Sequence, residues 1–371
     1  MNFFKDMEKP DQVTIIVLAI EKVLLQDLKS NLIQEIISDL LIALSRISAV
    51  KSFAFTDQKL LGLILRILRS SELSMGSKCR ATTILANLTM QSLGNLTLDN
   101  IVSALDTVSS ILTNTKCTES ESMKLLHQEC WRFIFHLSTH SQSRRFTAGR
   151  QDVQRLLLNS LLDETCVDNR LFATELLKKM GCDPEVAGVL IQIENGIILD
   201  TLKNKAWFDT DVRVRNVSLS TLCQLVESRS SDLAQRPEFV NFFSMLANSM
   251  NEKILPQVRF EVRRAFCRLA RESSPLVKDF STIVTSLFAS AISRDATDVK
   301  ATLLELASKE SHRRALVEQE QVLTHISALM EDRDVEVAKL GSQMLRLLLE
   351  DTAVASVICG HFQKANTQKN L

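Results

Sequence analysis

Apolar residues recur along the chain at steps of three and four, the spacing that places side chains on one face of an α-helix. The stretch "DRDVEVAKLGSQMLRLLLE", residues 332–350, shows this pattern most clearly. On a helical wheel of about 100° per residue, its apolar positions cover about half of the circumference. Such a wide face predicts a helix that packs against a partner helix and against neighbours on both sides. Gly341 lies within the apolar face and predicts the close approach of a neighbouring backbone.

Similar helical patterns follow one another along the chain and are separated by short polar connectors. The clearest of them begin at intervals of about 40–45 residues, at 31–49, 75–91, 121–139, 168–181, 210–227, 255–271, 295–308 and 333–350. A second helical segment lies in each interval, at 57–70, 99–113, 150–162, 184–204, 232–250, 275–293 and 311–330, and a helix at 12–28 precedes them all. This regular spacing predicts an α-solenoid built from helix pairs, in preference to a plain helical bundle.

Three stretches carry a resemblance to known repeat families. "RRALVEQEQVLTHISALMEDRDVEVAKLGSQMLRLL", residues 313–348, resembles an armadillo repeat, with a basic start, a short first helix and two longer helices. "DTDVRVRNVSLSTLCQLV" and "LPQVRFEVRRAFCRLA" resemble the last helices of HEAT repeats. One departure is Glu320, which replaces the glycine usual between the first two armadillo helices. The resemblance implies an all-α fold, a right-handed armadillo/HEAT-like α-solenoid of about eight helix-pair or three-helix repeats.

The same pattern predicts one continuous domain. We expect residues 1–371 to form a single array, with the repeats themselves in 12–350. The short apolar segment 352–362 is predicted to cap the last repeat. The polar tail "QKANTQKNL", residues 363–371, is predicted to fray.

The resemblance also implies where a partner would bind. In armadillo proteins the last helix of each repeat lines a concave groove, and in the import-receptor branch an Asn and a Trp four residues before it hold an extended peptide. Alignment of the last helices of this chain leaves the Asn only at Asn87 and the Trp at no position, which argues against recognition of basic signals. The candidate partner-binding residues from this alignment are Asn87, Arg132, His136, Lys179, Gln224, Arg264 and Arg268.

Arginines on one predicted helix indicate the chemistry of the partner. Arg264, Arg268 and Arg271 fall on one face of helix 255–271, opposite its apolar positions. Guanidinium groups suit carboxylates and phosphates. We therefore hypothesise that the groove takes an acidic, extended or helical segment of another protein. The alternative interpretation is a solvated helix face that carries arginine because arginine is soluble and helix-forming.

Two further segments are surface candidates. "NKAWFD", residues 204–209, is predicted to place Trp207 and Phe208 in a connector, where they either anchor a partner or fill the gap between repeats. "SQSRRFTAGRQDVQR", residues 141–155, is basic and contains a glycine, which predicts a mobile loop. Such a loop either meets phosphate or an acidic surface, or is simply solvated.

The bulk composition limits the classes of function. Of the 371 residues, 45% are apolar, and the 44 basic residues balance the 44 acidic ones, so no overall charge points to nucleic acid or to an anionic membrane. No apolar stretch is long enough to span a membrane and no signal peptide is evident. The eight cysteines form no CxxC pair, which predicts reduced thiols. We therefore expect a cytoplasmic or nuclear protein.

Motifs for catalysis and for metal binding are missing from the sequence. His136 and His140 lie four residues apart, but no third ligand follows at a matching step, so no metal site and no cofactor are predicted. The common nucleotide, protease and hydrolase motifs do not occur. We therefore expect a non-enzymatic scaffold or adaptor that binds protein. The alternatives are a chaperone cofactor that clamps a partner ATPase and, less favoured because aromatics are 5% of the chain, a nucleic-acid-binding HEAT array or HEAT-type DNA-repair enzyme.

Overall fold

The computed structural model describes residues 58–71, 73–92, 97–116, 120–248, 255–274, 280–292 and 296–369, and within these ranges the regular structure is helical. The predicted helices 12–28 and 31–49 lie outside the described residues. The helices are α1 Gln58–Arg69, α2 Met75–Ser92, α3 Leu98–Asn114, α4 Glu121–Leu137, α5 Ser141–Gly149, α6 Gln151–Leu162, α7 Val167–Met180, α8 Pro184–Gln192, α9 Ile197–Phe208, α10 Val212–Ala234, α11 Pro237–Asn248, α12 Pro256–Glu272, α13 Phe280–Ala291, α14 Thr297–Ser308, α15 Glu310–Val317, α16 Glu320–Met330, α17 Val335–Leu349 and α18 Thr352–Lys369.

The chain divides into two compact units, Met1–Val217 and Ser218–Leu371, and the division falls within α10. In the first unit the helices form two layers. Helices α1, α3, α6 and α9 are successive neighbours in one layer, whereas α2, α4 and α7 are neighbours in the other. Helix α1 also packs on α2, α3 on α4, and α6 on α7. Each pair therefore buries its apolar faces against its own partner and against the next pair, with Trp131 and Phe133 of α4 in the core.

The second unit repeats the same design. One layer holds α11, α13 and α16, and the other holds α12, α14 and α17, with paired contacts of α11 with α12, α13 with α14, and α16 with α17. Residues 218–234 of α10 lie beside α12, as the hydrogen bond between Ser220 and Glu261 shows. Phe243, Phe266 and Phe288 are fully buried between the layers. Helix pairs stacked in this way within each unit confirm the prediction of an all-α, armadillo/HEAT-like α-solenoid.

Side-chain bonds join successive repeats at separations slightly shorter than the predicted interval of about 40–45 residues. Arg145 bonds to Asp183, 38 residues later, and Arg170 bonds to Asp209, 39 residues later. In the second unit, the Lys309 ammonium donates to the backbone carbonyl of Arg271, which lies 38 residues before it. These bonds join neighbours one repeat apart within each unit, as expected where a repeat contacts only the repeats beside it.

The two short helices with a basic start are built alike. At α5, the Arg144 guanidinium donates to the carbonyls of Ser138 at 2.7 Å and Thr139 at 3.2 Å. At α15, Arg313 donates to the equivalent carbonyls of Ala307 and Ser308, at 2.9 and 3.0 Å. Carbonyls at the end of a helix lack partners within it, so these arginines satisfy them and fix the turn into the next helix.

The prediction of a mobile loop at residues 141–155 is wrong. Helices α5 and α6 occupy almost all of it and meet at Arg150. The Arg150 guanidinium binds Asp152 at 2.8 Å and also contacts Asp106 of α3, and these hydrogen bonds and charges raise the pKa of Arg150. The positive charge of Arg150 is therefore balanced by carboxylates of the first unit.

One predicted helix is divided in the structure. The segment 184–204 contains α8 and α9, separated at Ile193–Gly196 by three residues with positive φ, namely Glu194, Asn195 and Gly196. Within 311–330, α15 and α16 match the short first helix and the next helix that the armadillo resemblance implies, and they are separated at Glu318 and Gln319 without a glycine. The other predicted helices from 57–70 onward match observed ones in position, although α10 continues to Ala234, so that α11 begins later than predicted.

The last helix runs through the predicted cap. Residues 352–362 and the start of the tail predicted to fray, 363–371, lie in one helix, Thr352–Lys369. Val354 and Ile358 of this helix are buried, and the helix packs against α15 and α17. Fraying of the tail and the prediction of a single array over residues 1–371 remain predictions.

Candidate partner-binding faces

In the first unit, two of the aligned candidate residues are in direct contact. Asn87 of α2 accepts a hydrogen bond from the Arg132 guanidinium of α4 at 2.6 Å, across 45 residues of sequence. The same guanidinium reaches the carbonyl of Thr83 at 3.4 Å and the carboxylate of Glu129 at 3.1 Å. The alignment therefore identified neighbours on one face. The side-chain oxygen of Asn87, however, already accepts a bond from inside the protein.

Charges on this face are held close to one another. Burial raises the pKa of the Glu129 carboxyl, while the neighbouring Arg132 lowers it. Burial lowers the pKa of His136, and Arg132 lowers it further. The cationic side chain of Arg132 is thus the electrostatic centre of this face, and its charge is already partly balanced by Glu129.

Lys179 lies on the neighbouring helix of the same layer. It is half-buried in the last turn of α7, which packs against α4. Two contacts join these helices, a hydrogen bond from the Trp131 indole to Asn169 at 3.3 Å and an ion pair of Lys124 with Asp168 at 3.4 Å. Lys179 therefore lies in the same helix layer as Asn87 and Arg132, on the helix that follows α4 in that layer.

In the second unit, the predicted arginine face lies between α10 and α14. Gln224 is half-buried on α10. Arg264 of α12 forms an ion pair with Glu227 of α10 at 3.0 Å, and its side chain remains 54% exposed. Arg268 of α12 donates from Nε to the hydroxyl of Ser230 on α10 at 3.2 Å. These contacts hold the arginine side chains across the junction of two repeats.

Arg271 of α12 contacts α14 instead of α10. Its Nε donates to the Glu305 carboxylate at 3.0 Å and the Thr302 hydroxyl at 3.1 Å, both on α14. Lys309 binds the same Glu305 carboxylate at 3.3 Å. Arg264 and Arg271 are therefore each matched by a carboxylate of a neighbouring repeat, whereas Arg268 contacts no carboxylate among the described residues.

The prediction that Trp207 and Phe208 lie in a connector is wrong. Both residues lie in the last turn of α9, and their rings meet edge to face with centroids 6.5 Å apart. Phe208 is 74% exposed, so it does not fill a gap between repeats. The following residue, Asp209, is buried and bound by Arg170. The sequence did locate an exposed aromatic, but on a helix and not in a connector.

Sequence reasoning passed over Phe260. This side chain of α12 is 48% exposed and lies one helical turn before Arg264 on the same stripe. The signal in the sequence was a phenylalanine outside the apolar face of a strongly amphipathic helix, since Val258 and Val262 belong to the buried face. The acidic partners Glu227 and Glu305 were also passed over, because each lies more than 30 residues from its arginine.

The histidine pair is not on one helix. Helix α4 ends at Leu137, and His140 precedes α5 in an extended conformation. Among the described residues, no cluster of three or more potential metal ligands occurs. Cys166 is disulfide-bonded, contrary to the expectation of reduced thiols, whereas Cys79, Cys130, Cys182, Cys223, Cys267 and Cys359 are free. A search of the described helices for one long and apolar enough to cross a membrane finds none.

Of the comparisons with known proteins, one solved structure, with a TM-score of 0.58, supports the fold. No protein-family model matches the chain, and no curated protein matches it. An engineered protein from a structural genomics consortium is similar over 93% of this chain and 82% of its own, with 16% identity and a TM-score of 0.58. A designed armadillo repeat protein in complex with the peptide (KR)4 covers 65% of this chain and 99% of its own, with 12% identity and a TM-score of 0.43. A second designed armadillo repeat protein covers 66% and 99%, with 15% identity and a TM-score of 0.41.

Proposed function

We propose that the chain is a non-enzymatic scaffold that holds a segment of another protein on the face formed by α10, α12 and α14 in the second unit. The observation that carries the proposal is the fixed arrangement of arginines on this face. Arg264, Arg268 and Arg271 each bond to a side chain of a neighbouring repeat. Side chains held in place before binding lose less conformational entropy when a partner arrives, so the face is pre-organised for a ligand.

The charge of the face supports an acidic partner. Two of the three arginines are balanced by Glu227 and Glu305 within the protein, which leaves a net positive charge around Arg268. Electrostatic complementarity of this kind speeds association and selects between partners. The face of the first unit has the same layered design, but Arg132 is there balanced by Glu129 and its neighbours are mostly neutral. We therefore assign the primary partner contact to the second unit.

A charge-reversal experiment tests the proposal. Partners are captured with the full chain by crosslinking, and the affinity of an identified partner is compared for the wild type and the double variant Arg264→Glu, Arg268→Glu. We expect the double variant to bind at least about tenfold more weakly, the equivalent of about 1.4 kcal/mol. Arg314→Glu, an equal charge change at an exposed residue of α15, is the control and should bind as the wild type does. Unchanged affinity of the double variant would contradict the assignment.

Nuclease treatment separates the proposal from the nucleic-acid alternative. A protein partner held by the arginine face stays bound after nuclease digestion. Loss of every captured partner after digestion would instead favour a nucleic-acid-binding array, whose affinity also falls steeply with salt. Faster nucleotide release from a captured chaperone ATPase would favour the chaperone-cofactor alternative.

A further inference from the structure

A single stripe of α12 combines an exposed aromatic with the arginines. At about 100° per residue, Phe260, Arg264, Arg268 and Arg271 fall within an arc of about 80° on the helix. The opposite side is buried, with Val262 and Leu269 fully inaccessible. The stripe therefore faces outward from the second unit and presents apolar and cationic groups together.

The three arginines are not equivalent. Arg264 and Arg271 each bind a carboxylate of a neighbouring helix through Nε. Arg264 binds Glu227, and Arg271 binds Glu305. Arg268 has only a neutral contact, from Nε to the hydroxyl of Ser230. That contact orients the guanidinium plane, while its two terminal nitrogens meet no carboxylate of the described residues. An arginine held in this way presents the planar fork that binds a carboxylate with two hydrogen bonds.

Phe260 supplies an apolar contact on the same stripe as Arg268. It lies eight residues before Arg268, which corresponds to about 12 Å along a helix that rises about 1.5 Å per residue. A partner segment in extended conformation covers about the same length in four residues, at about 3.3 Å each. Because alternate side chains of an extended segment point the same way, residues four apart face the same side.

We propose that the α12 stripe recognises an extended partner segment in which an apolar residue and an acidic residue stand four positions apart. The carboxylate binds Arg268 and the apolar side chain packs on Phe260. This inference rests on the proposed scaffold function and specifies the partner that the face selects. The charge of the stripe favours an acidic occupant, since the exposed Arg268 guanidinium contacts no carboxylate of the described residues and its planar fork matches a carboxylate.

A positional peptide library tests the inference with the full chain. Each peptide carries one leucine and one glutamate in a neutral polar sequence, at separations from two to eight residues. We expect affinity to peak at a separation of four and to fall at least about tenfold when the glutamate is replaced by glutamine, the cost of one charge-assisted contact. A peak at seven or eight residues would show a helical ligand and overturn the extended geometry.

Three variants assign the contacts. Arg268→Gln is expected to abolish the preference for glutamate over glutamine, and Phe260→Ala the preference for leucine over serine. Arg314→Gln is the matched control, because it removes an equal charge at an exposed residue of α15 outside the stripe, and it should keep both preferences. Circular dichroism and thermal unfolding check that each variant folds. Equal effects of Arg314→Gln and Arg268→Gln would overturn the special role of Arg268.

The failures of the two proposals are distinguishable. If the wild type binds peptides without a preference for glutamate, the scaffold proposal stands and the Arg268 contact is wrong. If the wild type binds no peptide of the library and captures no protein partner, both proposals are wrong.

Discussion

At the scale of single residues, Gly341 shows how one missing side chain allows two helices of the array to meet. A Cβ atom at this position of α17 would lie 2.8 Å from the backbone nitrogen of Met330 and 3.0 Å from the Cβ of Leu329. The close backbone approach that the sequence predicted is therefore confirmed. The Cγ of Met330 lies equally near, at 2.8 Å, but because the nitrogen belongs to the backbone of α16, the contact cannot be relieved by a side-chain rotation alone.

We expect Gly341→Ala to lower the free energy of unfolding of the second unit. Overpacking costs about 1–3 kcal/mol, which exceeds the gain of at most about 1 kcal/mol from the better helix propensity of alanine. Gly360→Ala in α18 is the control, since nothing lies within 4 Å of its Cβ position, and it should leave stability equal or higher. Urea denaturation followed by circular dichroism measures both variants. A stabilised Gly341→Ala protein would mean that α16 and α17 separate easily.

At the scale of helices, a buried ion pair links α7 to the junction of α9 and α10. The Arg170 guanidinium binds Asp209 through two bonds of 2.8 and 3.0 Å, and the two side chains are 3% and 1% exposed. Arg170 also donates to the carbonyls of Asp163 and Glu164, at 2.8 and 3.2 Å. The Arg170 side chain thus bonds to backbone carbonyls that follow the preceding helix and to a carboxylate at the start of the next repeat.

We expect Asp209→Ala to destabilise the first unit by about 3–5 kcal/mol, because it leaves a buried guanidinium without its counter-charge. Asp200→Ala is the control. Asp200 pairs with Lys203 at 2.8 Å but its side chain is 66% exposed, so its removal should cost less than about 1 kcal/mol. Tryptophan fluorescence during urea unfolding reports on this unit, since Trp131 and Trp207 both belong to it. Equal losses for both variants would show that burial of the pair does not matter.

The helices were largely predictable from the sequence, and the breaks between them were less so. Apolar periodicity gave the positions of α2, α4 and α12 to within about two residues, because each keeps one face buried. The break between α8 and α9 was missed although Asn195 and Gly196 form a dipeptide typical of turns. The apolar residues on both sides keep helical spacing across it, so the periodicity alone shows one helix.

The candidate site was predictable only in part, for a physical reason. The alignment of last helices brought Asn87 and Arg132 together, because neighbouring repeats place equivalent residues side by side. It could not show that Arg264 is balanced by Glu227 while Arg268 has only Ser230. Such pairs form between residues one repeat apart, with no local pattern to reveal them. The chemistry of the face therefore depends on packing between repeats and not on a motif.

At the scale of the whole molecule, each unit is stabilised by contacts between successive repeats. Helix α18 begins in the same way as α8. Asp351 accepts a hydrogen bond from the first turn of α18, as Asp183 does from the first turn of α8. At each of these junctions an arginine of the preceding short helix also binds a carboxylate, Arg313 with Glu350 and Arg145 with Asp183. The segment predicted as a cap is therefore docked in the way that the first helix of a repeat is docked.

The docking of α18 can be tested on one helix with two matched substitutions. Val354 is 2% exposed, whereas Val357, one turn further on, is 51% exposed. We expect Val354→Asp to release α18, because it removes about 2 kcal/mol of apolar burial and places a charge in the core.

Release of α18 makes Leu348, which is fully buried, accessible to solvent, whereas Leu349 is already 42% exposed and contributes little to the change. Amide hydrogen exchange in residues 353–361 should accelerate by more than about tenfold, and solubility should fall. Val357→Asp should change neither measurement, and equal protection in both variants would mean that α18 does not cover α17.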